Sequence, residues 1–216
     1  MTYAFKHRSI LLLLVAMAPL TASGQSINLL AGGADNWQSF DESRWRFVGG
    51  ELHGSSMSFD GDKTDPEASA FLVSREKIEG DYMVAIEATF DQGRYLGVYL
   101  DFGQDTQSGI WIATGHALPA DAPGNEVERG YIKTVENGFW IVRATGELLI
   151  TNGRRVRLGF SRREDEYRLW NDGKLVATYR KEGGYPAGPL QLRLTNAAVR
   201  IHRLEVRTGR QRRTNR

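Results

Sequence analysis

The chain has 216 residues, 28 basic and 26 acidic side chains, a formal charge of +2, 24 glycines and no cysteine. Without cysteine there are no disulfides, thiolate metal sites or cysteine nucleophiles, so burial of apolar surface has to stabilise the fold. The small positive charge does not mark a nucleic-acid binder: Arg207, Arg210, Arg212, Arg213 and Arg216 crowd an acid-free end, and residues 25–206 carry 21 bases against 26 acids.

In chain order, Lys6 and Arg8 precede an apolar run from Ile10 to Leu20 that is too short to span a bilayer comfortably, and the small residues Ala22 and Gly24 follow. Residues 1–24 therefore read as a signal peptide, with a mature start at Gln25 and export to the periplasm or the exterior. No later stretch is apolar enough to span a membrane. The remaining 192 residues suit one domain, residues 25–206, followed by a basic, unstructured tail at 207–216.

Past the leader, apolar and polar residues alternate over short runs broken by Gly, Asn and Asp, which is the signature of strands. From Asp81 to Phe90, the side chains of Tyr82, Val84, Ile86, Ala88 and Phe90 share one face. From Arg94 to Phe102, Leu96, Val98, Leu100 and Phe102 point inward, leaving Tyr95, Gly97, Tyr99 and Asp101 outward. Further strands are expected at 109–114, 139–144, 155–161, 166–170, 174–180, 189–195 and 198–206, with turns at Thr145-Gly146, Asn152-Gly153 and Asn171-Asp172-Gly173. A short helical turn is expected only near Asp65-Pro66-Glu67. This pattern predicts an all-β, antiparallel two-sheet jelly-roll sandwich.

Several landmarks run in order across nearly the whole mature chain. They are Trp37 and Trp45, Gly50-Glu51-Leu52-His53-Gly54, Ser108-Gly109-Ile110-Trp111, the hairpin from Leu169 to Val176, Gly188-Pro189-Leu190-Gln191-Leu192, and the strand from Val199 to Val206. In that order they resemble the concanavalin A-like lectin and glucanase superfamily, particularly the laminin G-like and keto-disaccharide hydrolase-like bacterial domains. The resemblance implies two antiparallel sheets, one concave, with ligand on the concave face or at its rim. Two departures limit what carries over. Glu164-Asp165-Glu166 is contiguous where laminarinase-type glycosidases carry spaced acids on one strand face, and Asn152-Gly153-Arg154-Arg155-Val156 stands where the hydrolase-like group shows Gly-Glu-Trp-Asn.

The outward positions supply a ligand-face group of aromatic, carboxylate, amide and guanidinium side chains, a mixture that suits a sugar ring and its hydroxyls. Tyr99, Asp101, Trp111 and Arg193 form the expected contact group, with Tyr95, Arg143 and Gln191 around it and the Trp111 indole on an open sheet face. Glu87 and Asp101 are the strand-centred carboxylates available for a hydrolytic pair. Asp60, Asp62 and Asp65 read as a polar hairpin tip rather than a calcium loop, and His53, His116 and His202 lack zinc spacing, so no metal and no cofactor is expected. Three functions stay open: a non-catalytic or accessory module recognising a glycan or cell-envelope polysaccharide, a glycoside hydrolase, and an envelope protein-protein interaction domain without a small ligand.

Overall fold

The computed structural model describes residues 25–38, 40–56, 69–93, 95–100, 109–114, 129–136 and 139–209. The leader, the Asp60-Asp62-Asp65 segment, the Asp65-Pro66-Glu67 turn, Asp101, His116 and the arginines from Arg210 onward lie outside the described residues. Fourteen strands are described: β1 (Ser26–Asn28), β2 (Trp45–Val48), β3 (Glu51–Ser55), β4 (Ser69–Ile78), β5 (Tyr82–Gln92), β6 (Leu96–Leu100), β7 (Gly109–Thr114), β8 (Arg129–Glu136), β9 (Phe139–Glu147), β10 (Arg155–Arg163), β11 (Glu166–Asn171), β12 (Lys174–Arg180), β13 (Gly188–Thr195) and β14 (Ala198–Thr208). A 3₁₀ turn spans Gly33–Asn36, which the sequence pattern did not anticipate. Among the described residues no helix is long and apolar enough to cross a membrane.

The strands form two antiparallel sheets. One runs in the order β12-β11-β10-β5-β14-β3-β2, with β1 added along β14; the other runs β4-β13-β6-β7-β8-β9. This is the expected jelly-roll sandwich, and period-2 alternation builds its core. Val84, Ile86, Ala88 and Phe90 of β5 and Val156, Leu158 and Phe160 of β10 are buried in the same cluster as Leu96 and Val98 of β6, Ile110 and Ile112 of β7, and Leu190, Leu192 and Leu194 of β13.

Turn chemistry sets the registers. In the β2–β3 hairpin Val48 pairs with Glu51, and Gly49 and Gly50 between them both have positive φ, +62° and +85°. Asn171 pairs with Lys174 across Asp172 and Gly173, again with positive φ at both central residues, the geometry that matches the strand twist. Asn152-Gly153 is also a turn. Thr145-Gly146 is not: both residues lie inside β9. Gly146 is there because β9 meets β12 at the sandwich edge, where a Cβ would lie 1.8 Å from the Val176 carbonyl oxygen.

The sequence pattern also passed over β1, β2, β4 and β8, and β14 runs on to Thr208, so Arg207 belongs to the sheet rather than to the polar end.

Candidate functional site

The six-stranded sheet positions the candidate group through its registers. Gln191 pairs with Val73 and Tyr99, Tyr99 with Trp111, Trp111 with Lys133, and Lys133 with Val142, so these residues form one row across the sheet. The next row reads Phe71, Arg193, Gly97, Ala113, Tyr131 and Thr145. A third, shorter row joins Gly109, Val135 and Trp140. Every side chain in these rows points away from the main core, because its strand neighbours, such as Val98, Ile110, Ile112, Ile132 and Leu192, fill that core.

Tyr99, Trp111 and Arg193 are therefore brought together, with Gln191 beside them. The indole of Trp111 does not lie open, however. It is 5% exposed and Tyr99 is 3% exposed, and with Tyr95, Ala113 and Val135 they make a second buried cluster on the outer side of the sheet. The two rings stack at 5.3 Å with planes 3° apart, and Trp140 meets Trp111 edge-on at 4.3 Å. Alternation correctly assigns the face of Trp111, but side-chain packing on that face decides its depth. Trp140, 45% exposed, and Phe71, 47% exposed, present aromatic surface instead.

Two cations border the cluster. Lys133 Nζ lies 4.7 Å from the Trp111 ring centre and 5.3 Å from that of Tyr131, and the Arg193 guanidinium lies 5.5 Å from Trp111 and 5.2 Å from Phe71. Arg193 donates to the Tyr99 hydroxyl at 3.1 Å and to Ser69 Oγ at 3.0 Å. Burial, with the charge of Arg193, pushes the Lys133 pKa down. Burial pushes Tyr99 up, against the opposing pull of Arg193. Gly97 leaves the space that the indole occupies, since a Cβ there would sit 2.3 Å from Trp111 Nε1. Among the described residues the buried Trp111 N–H and Tyr95 hydroxyl have no hydrogen-bond partner.

Arg143 leaves the group, and Glu87, the other strand-centred carboxylate, lies on the other sheet. Arg143 is the extra residue of a bulge in β9 opposite Ile132 and Lys133, and it turns to the other face, donating to Glu136 at 2.7 Å and Thr134 at 3.0 Å. Glu87 belongs to β5 in the other sheet, where Arg155 holds it at 3.0 Å. It borders a groove of about 700 Å³ with Trp170, Arg155, Arg157, Arg203 and Arg207. Those arginines are compensated in place, Arg155 and Arg157 by Glu87, Arg203 and Arg207 by Glu205.

Lys133, Tyr131 and Trp140 are the contributors that sequence reading missed. The first two lie on β8, whose run Tyr131-Ile132-Lys133-Thr134-Val135 puts apolar and polar residues on both faces, so alternation gives no reading of it. The fold also joins residues far apart in the chain on the other sheet: Glu51 contacts His202 at 2.6 Å and His53 at 3.5 Å. Among the described residues no group of three side chains is placed to hold a metal ion.

No family model and no curated protein matches the chain. Solved structures do. The carbohydrate binding module CBM66 from Bacillus subtilis superposes with a TM-score of 0.59 at 16% identity, covering 80% of this chain and 96% of that one. The Emp47p carbohydrate recognition domain gives 0.55 at 11%, covering 82% and 90%, and a native glycosidic hydrolase gives 0.60 at 11%, covering 87% and 96%. At these identities the likeness establishes the fold alone: an antiparallel jelly-roll sandwich.

Proposed function

We propose that this chain is an exported, non-catalytic or accessory module that recognises a carbohydrate on the outer face of its six-stranded sheet. The observation that carries the reading is the aromatic ladder Tyr99–Trp111–Trp140, in which two buried rings brace a half-exposed indole. A braced, exposed ring stacks on the apolar face of a sugar at little entropic cost, and the surrounding guanidinium, ammonium and amide groups bond hydroxyls. In this reading Tyr99, Trp111 and Arg193 shape and brace the contact surface, and Trp140 supplies the stacking ring. The three rows supply rings and cations rather than a pair of acids, a composition that suits binding better than hydrolysis. The structural neighbours support the class, since they include proteins described as a carbohydrate binding module and a carbohydrate recognition domain. A glycan array probed with the purified protein and with Trp140→Ala tests it: the parent retains at least one saccharide that the variant loses. An identical pattern for both proteins removes Trp140 and this face from the reading.

A further inference from the structure

Most outward arginines of this protein that lie near an acid are paired with it: Arg155 with Glu87, Arg200 with Asp91, Arg203 with Glu205, and Arg143 with Glu136, all at 2.7 to 3.0 Å. Lys133 and Arg193 depart from that pattern. Both are half-buried, both lie against the single indole of Trp111, and among the described residues neither has a carboxylate within ion-pair reach. The rows around them offer Gln191, Phe71, Tyr131, Val142 and Thr145, none of them an acid.

Two like charges drawn out of water over one ring repel each other, and the ring faces offset only part of that cost. The lowered pKa of Lys133 has the same origin. The background makes the arrangement more specific, because residues 25–206 carry an excess of acids and a diffuse attraction for polyanions is not expected of them. One anion held by both cations would relieve that repulsion.

Resting on the carbohydrate reading of this face, we propose that its ligand is an acidic saccharide, whose sugar ring stacks on Trp140 while its anionic substituent, carboxylate or sulfate, is held between Lys133 Nζ and the Arg193 guanidinium. The guanidinium fork takes two oxygens of such a group, and Arg193 is already oriented by its bonds to Tyr99 and Ser69. Lys133 serves as a second point charge against the same indole.

Calorimetric titration of the purified protein tests this with four probes: an oligogalacturonate, its full methyl ester, a sulfated galactan oligosaccharide, and neutral oligosaccharides taken from array hits. At least one acidic probe binds, the methyl ester binds at least about tenfold more weakly than the free acid if carboxylate is the recognised group, and Lys133→Gln loses about tenfold toward the acidic probe only. Lys133 makes no hydrogen bond among the described residues, so its melting temperature serves as the control for folding. Arg193→Gln behaves like Lys133→Gln, and Arg155→Gln on the other sheet leaves binding unchanged. The carboxylate and sulfate arms identify which anion is preferred. Binding confined to neutral saccharides, or acidic binding indifferent to Lys133→Gln and Arg193→Gln, overturns the acidic class while the carbohydrate reading stands; no saccharide binding in any arm overturns both.

Discussion

Trp111 and Trp140 lie 4.3 Å apart, yet their removal should have opposite consequences. Trp111 is 5% exposed and packs on Tyr99, Tyr95 and Trp140, so Trp111→Ala opens a cavity in a second core and should cost about 3–5 kcal/mol, the range for a buried large aromatic. For a domain of this size each kcal/mol moves the melting temperature by roughly 2–4 °C, which gives a fall of roughly 6–20 °C. Trp140, at 45% exposed, gives up much less buried surface, and Trp140→Ala should cost about 1 kcal/mol or less while removing the stacking platform. Differential scanning calorimetry of both variants, beside saccharide titration, separates the two roles. If Trp111→Ala melts within about 3 °C of the parent, the outer cluster is not a second core and the bracing argument fails with it. If Trp140→Ala falls as far as Trp111→Ala, the exposed ring is structural, and the division between brace and platform is wrong.

Tyr95→Phe removes a buried hydroxyl that has no partner among the described residues, so it should raise stability by about 1 kcal/mol in urea titration, and a loss of stability would show that the hydroxyl is satisfied. Burial also holds the Tyr95 and Tyr99 phenols above their ordinary value of 10.0. A neutral phenol favoured by the fold contributes stability that is fully present below the unfolded value and lost as pH rises through the folded one, so unfolding free energy should decline above about pH 10, and less steeply in Tyr95→Phe; equal slopes in parent and variant would contradict this. Gly54→Ala places a Cβ 2.3 Å from the buried Trp45 ring, which is pinned by its N–H donating to the Phe71 carbonyl at 3.1 Å, and should lower the urea midpoint by the equivalent of about 1–3 kcal/mol. An unchanged midpoint would mean that the ring can move aside.

Much of the fold was legible because burial on one face imposes a two-residue period. β5, β10 and β13 send alternate residues into the core, β14 does so on either side of a bulge between Ile201 and Arg203, and the Gly-Glu-Leu-His-Gly landmark turns out to be physical: Gly49 and Gly50 make the hairpin turn, Leu52 enters the core and Gly54 lies under Trp45. The signal failed where the chain departs from that rule. In β4, Arg75, Glu76 and Lys77 are all exposed and break the alternation before Ile78 returns to the core. Thr145-Gly146 has turn chemistry but a packing reason, since only the neighbouring β12, distant in sequence, forbids a side chain at residue 146.

The site was legible in composition and not in depth. Alternation assigns Tyr99, Trp111 and Arg193 to one face from local sequence, and that assignment holds, but a face is a direction, whereas burial depends on what neighbouring strands contribute. All six residues of β7 are buried, which no alternation rule allows for a strand with one face in water. The reason lies across the sheet: the rings of Tyr99 and Trp140, from strands on either side, close over Trp111. The same dependence explains Arg143, which a single bulge in β9 carries from the expected face to the other. A polar residue predicted outward by parity is thus secure only where the intervening strand is free of bulges, and β6, β7 and β13 satisfy that condition in their mutual pairings. The three members of the predicted group that are described lie on those three strands. Lys133, on β8, keeps its place in the same row because the bulge next to it falls in β9, leaving the β7–β8 ladder intact. Unbroken pairing from β13 to β8 is therefore what sets two cations on one indole.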